Sequence, residues 1–271
     1  MAYELAIIGG GNMGAALLGG LLDNTSGEAF DAGEVVVVEP DEARRAALAA
    51  AHPGVSVAAE PVSCRAAVIA VKPQYVSDVV VATVRSGARR LLSIAAGVTT
   101  ETIAAAADAA APTGQPVSVL RAMPNTPALV GEGVSALAAA PGTPDADLDW
   151  AERVLSGVGL VVRVDESHLD AVTGLTGSGP AYVFLVAEAL IDGGVLAGLP
   201  RQVVEPMVAQ LLVGSAKLLA ERGDPAALRA MVTSPGGTTA AGLRTLEERA
   251  VRSALIEAVQ AAAARSRALG A

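Results

Sequence analysis

The feature that most constrains this chain lies near its start. An apolar, β-branched run, Leu5-Ala-Ile-Ile8, meets Gly9-Gly-Gly11-Asn-Met-Gly14, and a helix-forming stretch follows at once. The spacing is G-x-G-x-x-G in a strand–turn–helix setting. Each glycine has a separate steric job. Gly9 permits the tight turn, Gly11 lets the backbone approach a pyrophosphate, and Gly14 lets helix and strand pack closely. The anion then meets the free N–H groups and the dipole at the helix N-terminus. An ordinary glycine-rich turn is the alternative, and the setting favours dinucleotide binding. Ile8, Gly9, Gly10, Gly11, Asn12 and Met13 are therefore the first candidate cofactor contacts.

The pattern after this turn supports the same fold. Short apolar runs recur at Val35–Val38, Ala67–Val71, Leu91–Ile94 and Val117–Leu120. Such runs suit strands buried on both faces of a parallel sheet. Helical stretches separate them at Asp41–Ala51, Val76–Val84 and Thr100–Ala109, so the first half reads as successive βαβ units. Further strands are expected at Val134–Ala138 and Leu160–Val164, with a helix over Asp145–Ser156.

Strand ends supply more candidates. Glu39 follows the second strand and is placed to accept from the adenosine ribose hydroxyls, which favours NADH. A solvated strand-end acid is the plainer reading. Arg44 and Arg45 lie on the next helix and suit a 2′-phosphate instead. Ala70-Val71-Lys72-Pro73 closes a later strand at its carboxyl end, where cofactors bind in such sheets. A salt-bridged surface lysine would look the same. Ser93-Ile-Ala95-Ala96-Gly97 ends the next strand with small residues that admit a flat ring, as would a simple strand-to-helix turn.

Beyond residue 165 the strand pattern stops. Long apolar helices are expected over Ala181–Leu196 and Arg201–Glu221, then Thr239–Arg249 and about Arg249–Leu269. The division expected is a Rossmann-type α/β dinucleotide-binding domain, residues 1–164, and an all-α dimerisation and substrate domain, residues 165–271. Composition narrows the partners. Hydrophobic residues make up 52% of the chain and mean hydropathy is +0.49, which raises a membrane reading. The one uncharged run of membrane length, Leu5–Leu22, holds the glycine turn. No basic residue precedes it, so it does not read as a signal peptide. A net charge of −9 disfavours nucleic acid and anionic membranes. One cysteine, Cys64, and two distant histidines, His52 and His168, cannot build a Cys/His zinc cluster, and no metal is expected.

Two loops have the character of a substrate site. Arg121-Ala-Met123-Pro124-Asn125-Thr-Pro127 is stiffened by two prolines and carries polar groups at a fixed place. Thr233-Ser234-Pro-Gly236-Gly237-Thr238-Thr239 leads straight into a helix. Ser234 or Thr238 can cap that helix. Alternatively, the two glycines let backbone N–H groups converge into an anion-binding concavity that fits a small carboxylate.

With Gly9–Gly14, Ala70–Pro73, Arg121–Pro127, Gly177-Ser-Gly-Pro-Ala-Tyr182 and Ser234–Thr239 in this order, the chain resembles the pyrroline-5-carboxylate reductase family over roughly residues 4 to 269. The resemblance implies a cytoplasmic enzyme of proline biosynthesis that uses NADPH or NADH to reduce 1-pyrroline-5-carboxylate to L-proline. It implies an interlocked homodimer, often built into a decamer, with the substrate between the cofactor and the partner's helical domain. By motif, Thr239 is expected to hydrogen-bond the substrate ring nitrogen. Ser234 and the Gly236-Gly237-Thr238 backbone are expected to cradle its carboxylate, with Asn125 nearby. Met123 and Pro124 join the cofactor contacts. Glu39-Pro-Asp41 stands where NADPH-preferring relatives often carry Ser or Thr.

Two other readings compete. The first is another imine or β-hydroxyacid reductase of the same two-domain plan; those acid dehydrogenases usually depend on a lysine in the first C-terminal helix, whereas Thr173–Leu190 contains none and Lys217 lies one helix later. A non-catalytic NAD(P)-binding dimer would be expected to have a degenerate Ser234–Thr239 loop. His168 is expected at the surface or a hinge, Trp150 and Tyr182 in packing, and Cys64 as a small buried hydrophobe.

Overall fold

A computed structural model describes residues 2–23, 30–113 and 115–270. The chain forms two compact units, Met1–Ser178 with Ala261–Ala271, and Gly179–Gln260.

The first unit is built on an eight-stranded sheet. Its elements are β1 (Tyr3–Ile8), α1 (Asn12–Leu22), β2 (Val35–Val38), α2 (Glu42–Ala51), β3 (Ser56–Ala58), β4 (Cys64–Ile69), α3 (Val76–Arg85), β5 (Arg90–Ser93), α4 (Thr100–Ala110), β6 (Ser118–Met123), β7 (Gly133–Ala139), α5 (Asp145–Ser156) and β8 (Gly159–Arg163). Strand order is β3-β2-β1-β4-β5-β6-β7-β8. The first six strands run parallel, β7 is antiparallel to β6, and β8 is parallel to β7. The order reverses between β1 and β4, which makes the crevice beyond their carboxyl ends the place for a ligand.

Alternation along each strand divides the core between the two faces. Leu5, Ile7, Val35, Val37 and Val68 pack with Leu17, Leu18 and Leu21 of α1 and with Trp150, Val154 and Leu155 of α5. Ala6, Ile8, Val36, Val38 and Ile69 pack on the other face with Val76, Val80 and Val84 of α3 and Ile103 of α4. Burial on both faces is why these strands read as continuous apolar runs.

The expected boundary at residue 165 and the division by packing differ. Residues 165–178 pack with the sheet: α6 (Leu169–Val172) places Leu169 against Ala136 and Ala138 of β7. Ser266 Oγ donates to Asp170 Oδ1 at 2.6 Å, which ties the end of the last helix to the same unit. Thr173–Gly177 continues α6 as a wider π turn, closed by Ser178 N–H donating to the Thr173 carbonyl at 2.8 Å.

The second unit holds α7 (Gly179–Leu196), α8 (Arg201–Arg222), α9 (Pro225–Met231), α10 (Thr238–Glu248) and the first half of α11 (Val251–Gly270). Val204 and Val208 of α8 are buried, and Val204 meets α7 at Gly194. Much of the apolar surface of α7 and α8 is exposed, including Phe184, Leu185, Met207 and Leu211. The membrane-length run noted in the sequence, Leu5–Leu22, is split among β1, the glycine turn and α1. The helical stretches Glu166–Leu196 and Arg201–Arg222 are long and apolar enough to cross a bilayer by length and composition alone. Charged residues that break these runs in the sequence leave each within that limit.

Candidate active site

The glycine turn sits at the carboxyl end of β1. Gly9 has φ +111°, a conformation that side chains disfavour. A Cβ there would lie 2.6 Å from the Ala70 carbonyl oxygen, so the turn after β1 and the turn after β4 are pressed together. At Gly14 a Cβ would lie 2.0 Å from the Gly9 carbonyl oxygen. At Gly11 a Cβ would meet no described atom within 4 Å. The turn is thus closed on its inner side and open at Gly11.

Gly11 is the N-cap of α1, so no side chain caps the helix, and its first turn carries no acidic residue. No carboxylate from the helix's own first turn competes for its free N–H groups and dipole. Asn12 is exposed and Met13 half-buried beside this opening, while Ile8 is buried in the core. This cradle fits a dinucleotide pyrophosphate.

Glu39 is buried at the end of β2, and both its oxygens are engaged within the chain. Gly10 N–H donates to Oε2 at 2.9 Å and Asp41 N–H donates to Oε1 at 3.0 Å. Arg44 lies 3.9 Å from Oε1, with its own side chain largely exposed. Arg45 is turned to the backbone, donating to the Glu39 carbonyl at 2.8 Å and the Pro40 carbonyl at 2.7 Å. Glu39 therefore braces the glycine turn, a role the sequence reading did not include.

The other candidate loops gather at the same sheet end. Ala70 N–H extends the ladder to the Ile8 carbonyl at 2.8 Å; Ala70 and Val71 are half-buried, and Lys72 and Pro73 are exposed. The loop after β5 runs through buried Ala95, exposed Ala96 and half-buried Gly97 to Thr99, whose hydroxyl caps α4 by accepting from Thr102 N–H. Met123 ends β6, and Pro124 and Asn125 are buried. Asn125 Oδ1 accepts from Val134 N–H at 2.8 Å and its Nδ2 donates to the Thr176 carbonyl at 3.1 Å. The side chain named for substrate contact thus holds the loop to β7 and to the π turn.

In the second unit, Ser234–Gly237 is a β-turn closed by Gly237 N–H donating to the Ser234 carbonyl at 3.1 Å. Gly236 has φ +69° and Gly237 is the N-cap of α10. Because the cap is a glycine, neither Ser234 nor Thr238 serves as the cap, and the first turn has no acidic residue. The arrangement is a second uncapped helix start, with Ser234 and Thr238 exposed and Thr239 half-buried.

One cluster escaped the sequence reading. Glu166 accepts from Thr100 N–H and from Arg121 Nη1, both at 2.7 Å, and from the Thr100 hydroxyl. Burial raises its pKa, and the hydrogen bonds from Thr100 and Arg121 with the Arg121 charge outweigh this, leaving it lowered. Among residues expected to be structural, Trp150 is buried beneath the Arg90 guanidinium, Cys64 is buried, and His168 is exposed.

Comparison with known proteins places this geometry. The chain is 44% identical over 280 residues to the pyrroline-5-carboxylate reductase of a Synechocystis species, covering 100% of this chain and 99% of that one. The chain belongs to the pyrroline-5-carboxylate reductase family. Residues 166–269 match the family model "Pyrroline-5-carboxylate reductase dimerisation". Residues 4–97, which hold the glycine turn and the loop after β5, match "NADP oxidoreductase coenzyme F420-dependent". The fold is that of the Coxiella burnetii pyrroline-5-carboxylate reductase, with a TM-score of 0.88, 30% identity and full coverage of both chains. The Plasmodium falciparum pyrroline carboxylate reductase, solved with NADP bound, has a TM-score of 0.80 and 27% identity, covering 99% of this chain and 98% of that one. The family match begins at Glu166, whereas the packing division falls after Ser178, because the segment between them docks on the sheet.

Proposed function

We propose that this chain is an NAD(P)H-dependent oxidoreductase that reduces the C=N bond of 1-pyrroline-5-carboxylate to give L-proline. The observation carrying the reading is the intact Ser234–Thr239 turn heading an uncapped helix, in a chain related end to end to pyrroline-5-carboxylate reductases. When bound, the reduced nicotinamide supplies the hydride.

The chain's own residues bind and orient. Gly9–Met13 and the start of α1 would hold the pyrophosphate. Glu39 would stand at the adenosine side, Ala95–Gly97 would face the nicotinamide ring, and Ala70–Pro73, Met123 and Pro124 would complete the cofactor contacts. Ser234 and the Gly236–Thr238 backbone would hold the substrate carboxylate, and the Thr239 hydroxyl would orient the ring nitrogen. The imine carbon accepts the hydride more readily once its nitrogen is protonated. An iminium formed in solution or from water leaves the chain no need of a strong side-chain acid. Positioning is then its main contribution.

We read the assembly as a cytoplasmic homodimer, with a decamer as a further level, and assign no nucleic acid or membrane partner. The dimerisation-domain match and the exposed apolar faces of α7 and α8 support a protein rather than a lipid cover for them. The test follows nicotinamide absorbance with NADH and NADPH separately, with and without 1-pyrroline-5-carboxylate. Substrate-dependent oxidation is expected, and oxidation of neither cofactor ends the reading. Thr239→Ala is expected to lower kcat about tenfold, the scale of one orienting hydrogen bond. An unchanged kcat removes that role.

A further inference from the structure

The loop from Ile94 to Val98 carries the small residues proposed to face the nicotinamide ring. It starts at Ser93, the last residue of β5, and ends at the Thr99 cap of α4. Arg121 of β6 is the register partner of Ser93, so it stands beside the loop's start. Thr100 stands just past the loop's end. The Glu166 carboxylate binds both: Oε1 accepts from Arg121 Nη1 and from Thr100 N–H at 2.7 Å each, and Oε2 accepts from the Thr100 hydroxyl. Arg121 and Thr100 are buried. One carboxylate thus closes a bracket across the two ends of this loop, with charge-assisted bonds on both sides.

We infer that Glu166 is a positioning residue for the nicotinamide half of the cofactor. It touches no reacting atom. It fixes the separation of Ser93 and Thr100 and so the path of Ala95–Gly97 between them. The inference rests on the cofactor reading above and adds to it a residue from the first turn of the segment that matches the dimerisation model. A change in how that segment leaves the sheet would be felt at the loop through this same carboxylate.

Two ligands separate this role from general stability. ADP-ribose carries the adenosine and pyrophosphate groups and lacks the nicotinamide. The chain and its Glu166→Gln variant are titrated with NADH by cofactor fluorescence and with ADP-ribose by calorimetry. The amide can keep its oxygen at the Oε1 position and puts a donor at the Oε2 position, so the bonds from Arg121 and Thr100 lose the carboxylate charge that strengthens them. NADH binding is expected to weaken about tenfold and ADP-ribose binding to change by less than about twofold. Equal weakening of both ligands, or no change in either, overturns the inference. Thr100→Val, which removes only the hydroxyl bond, is expected to shift the same ratio in the same direction by less. If Glu166→Gln does not fold, Thr100→Val decides alone by the same comparison. Failure of the unmodified chain to bind either ligand overturns the cofactor reading itself.

Discussion

The Gly10 N–H donates to Glu39 Oε2 at 2.9 Å, joining the middle of the glycine turn to the end of β2. A buried carboxylate at this point does two things at once. It fixes the backbone proposed to face the pyrophosphate, and it sets a negative charge beside the proposed adenosine side of the site. A 2′-phosphate brought there meets that charge, partly offset by Arg44 at 3.9 Å.

The unmodified chain is therefore expected to use NADH with the higher kcat/KM. Glu39→Gln keeps one acceptor for Gly10 and removes the charge. It is expected to raise the NADPH-to-NADH ratio of kcat/KM about tenfold, or ~1.4 kcal/mol for one screened like-charge contact. Glu39→Ala loses the brace as well and is expected to raise KM for both cofactors. A strong NADPH preference in the unmodified chain refutes the charge argument.

Gly11 and Gly14 separate binding from folding. A Cβ at Gly14 would press on the Gly9 carbonyl, so Gly14→Ala is expected to cost ~1–3 kcal/mol of stability through overpacking. A Cβ at Gly11 enters open space, and Gly11 has an ordinary φ of −70°. Gly11→Ala is expected to leave the melting temperature nearly unchanged while weakening cofactor binding about tenfold or more, because it fills the approach to the pyrophosphate. Melting curves and cofactor titrations on the two variants check both statements; a Gly11 variant that binds normally contradicts the assigned cradle.

How much of this was legible in the sequence depends on the range of the forces involved. α1 follows the glycine turn as Asn12–Leu22, and α5 covers Asp145–Ser156, the stretch expected to be helical. β3 escaped because Ser56-Val-Ala58 is three residues of weak strand character that pair only with β2. α9 escaped as a helix of only seven residues, Pro225–Met231, that opens on a proline. In the structure the proline sits at the first helical position, where its missing N–H costs nothing, and Asp224 caps Ala226 and Ala227. The antiparallel course of β7 is a property of the connection and not of strand composition. Inside the site, the glycine turn was readable because its sterics are local. The inward turn of Glu39 and the bracket made by Glu166 were not. Glu166 lies 66 residues from Thr100 and 45 from Arg121, and no periodicity links positions so far apart.

Cys64 opens β4 with 2% of its surface exposed, and burial pushes its thiol up to about 11. A raised pKa keeps the folded thiol neutral where the unfolded thiol ionises. The stability this group contributes is fully present below the unfolded value near 9.0 and is lost as pH rises from there through about 11. Native alkylation by iodoacetamide at pH 8 is expected to be slow and to accelerate only under unfolding conditions, since the thiolate is the nucleophile. Cys64→Ala is expected to flatten the loss of stability between pH 9 and 11. Rapid native labelling would show that the first residue of β4 is accessible after all.

Phe184 and Leu185 of α7 are 63% and 65% exposed, adjacent in sequence and therefore on different sides of the helix. A helix apolar all round needs cover on more than one face, and stable interfaces bury about 1,200–2,000 Å² in total. A second copy of this chain is the cover proposed above for these faces, which lie in the region that matches the dimerisation model. The chain is expected to be at least a dimer at micromolar concentration by light scattering. Replacing both Phe184 and Leu185 with Glu places charges where desolvation is required, and is expected to give monomers that still bind ADP-ribose, because the residues proposed for that half of the cofactor all belong to the sheet unit. Leu160→Glu serves as the control: Leu160 is equally exposed, at 63%, but lies on β8 of the other unit. It is expected to leave the dimer intact. An unmodified chain that is monomeric, or a Phe184/Leu185 variant that dimerises as before, would show that these faces are covered in some other way.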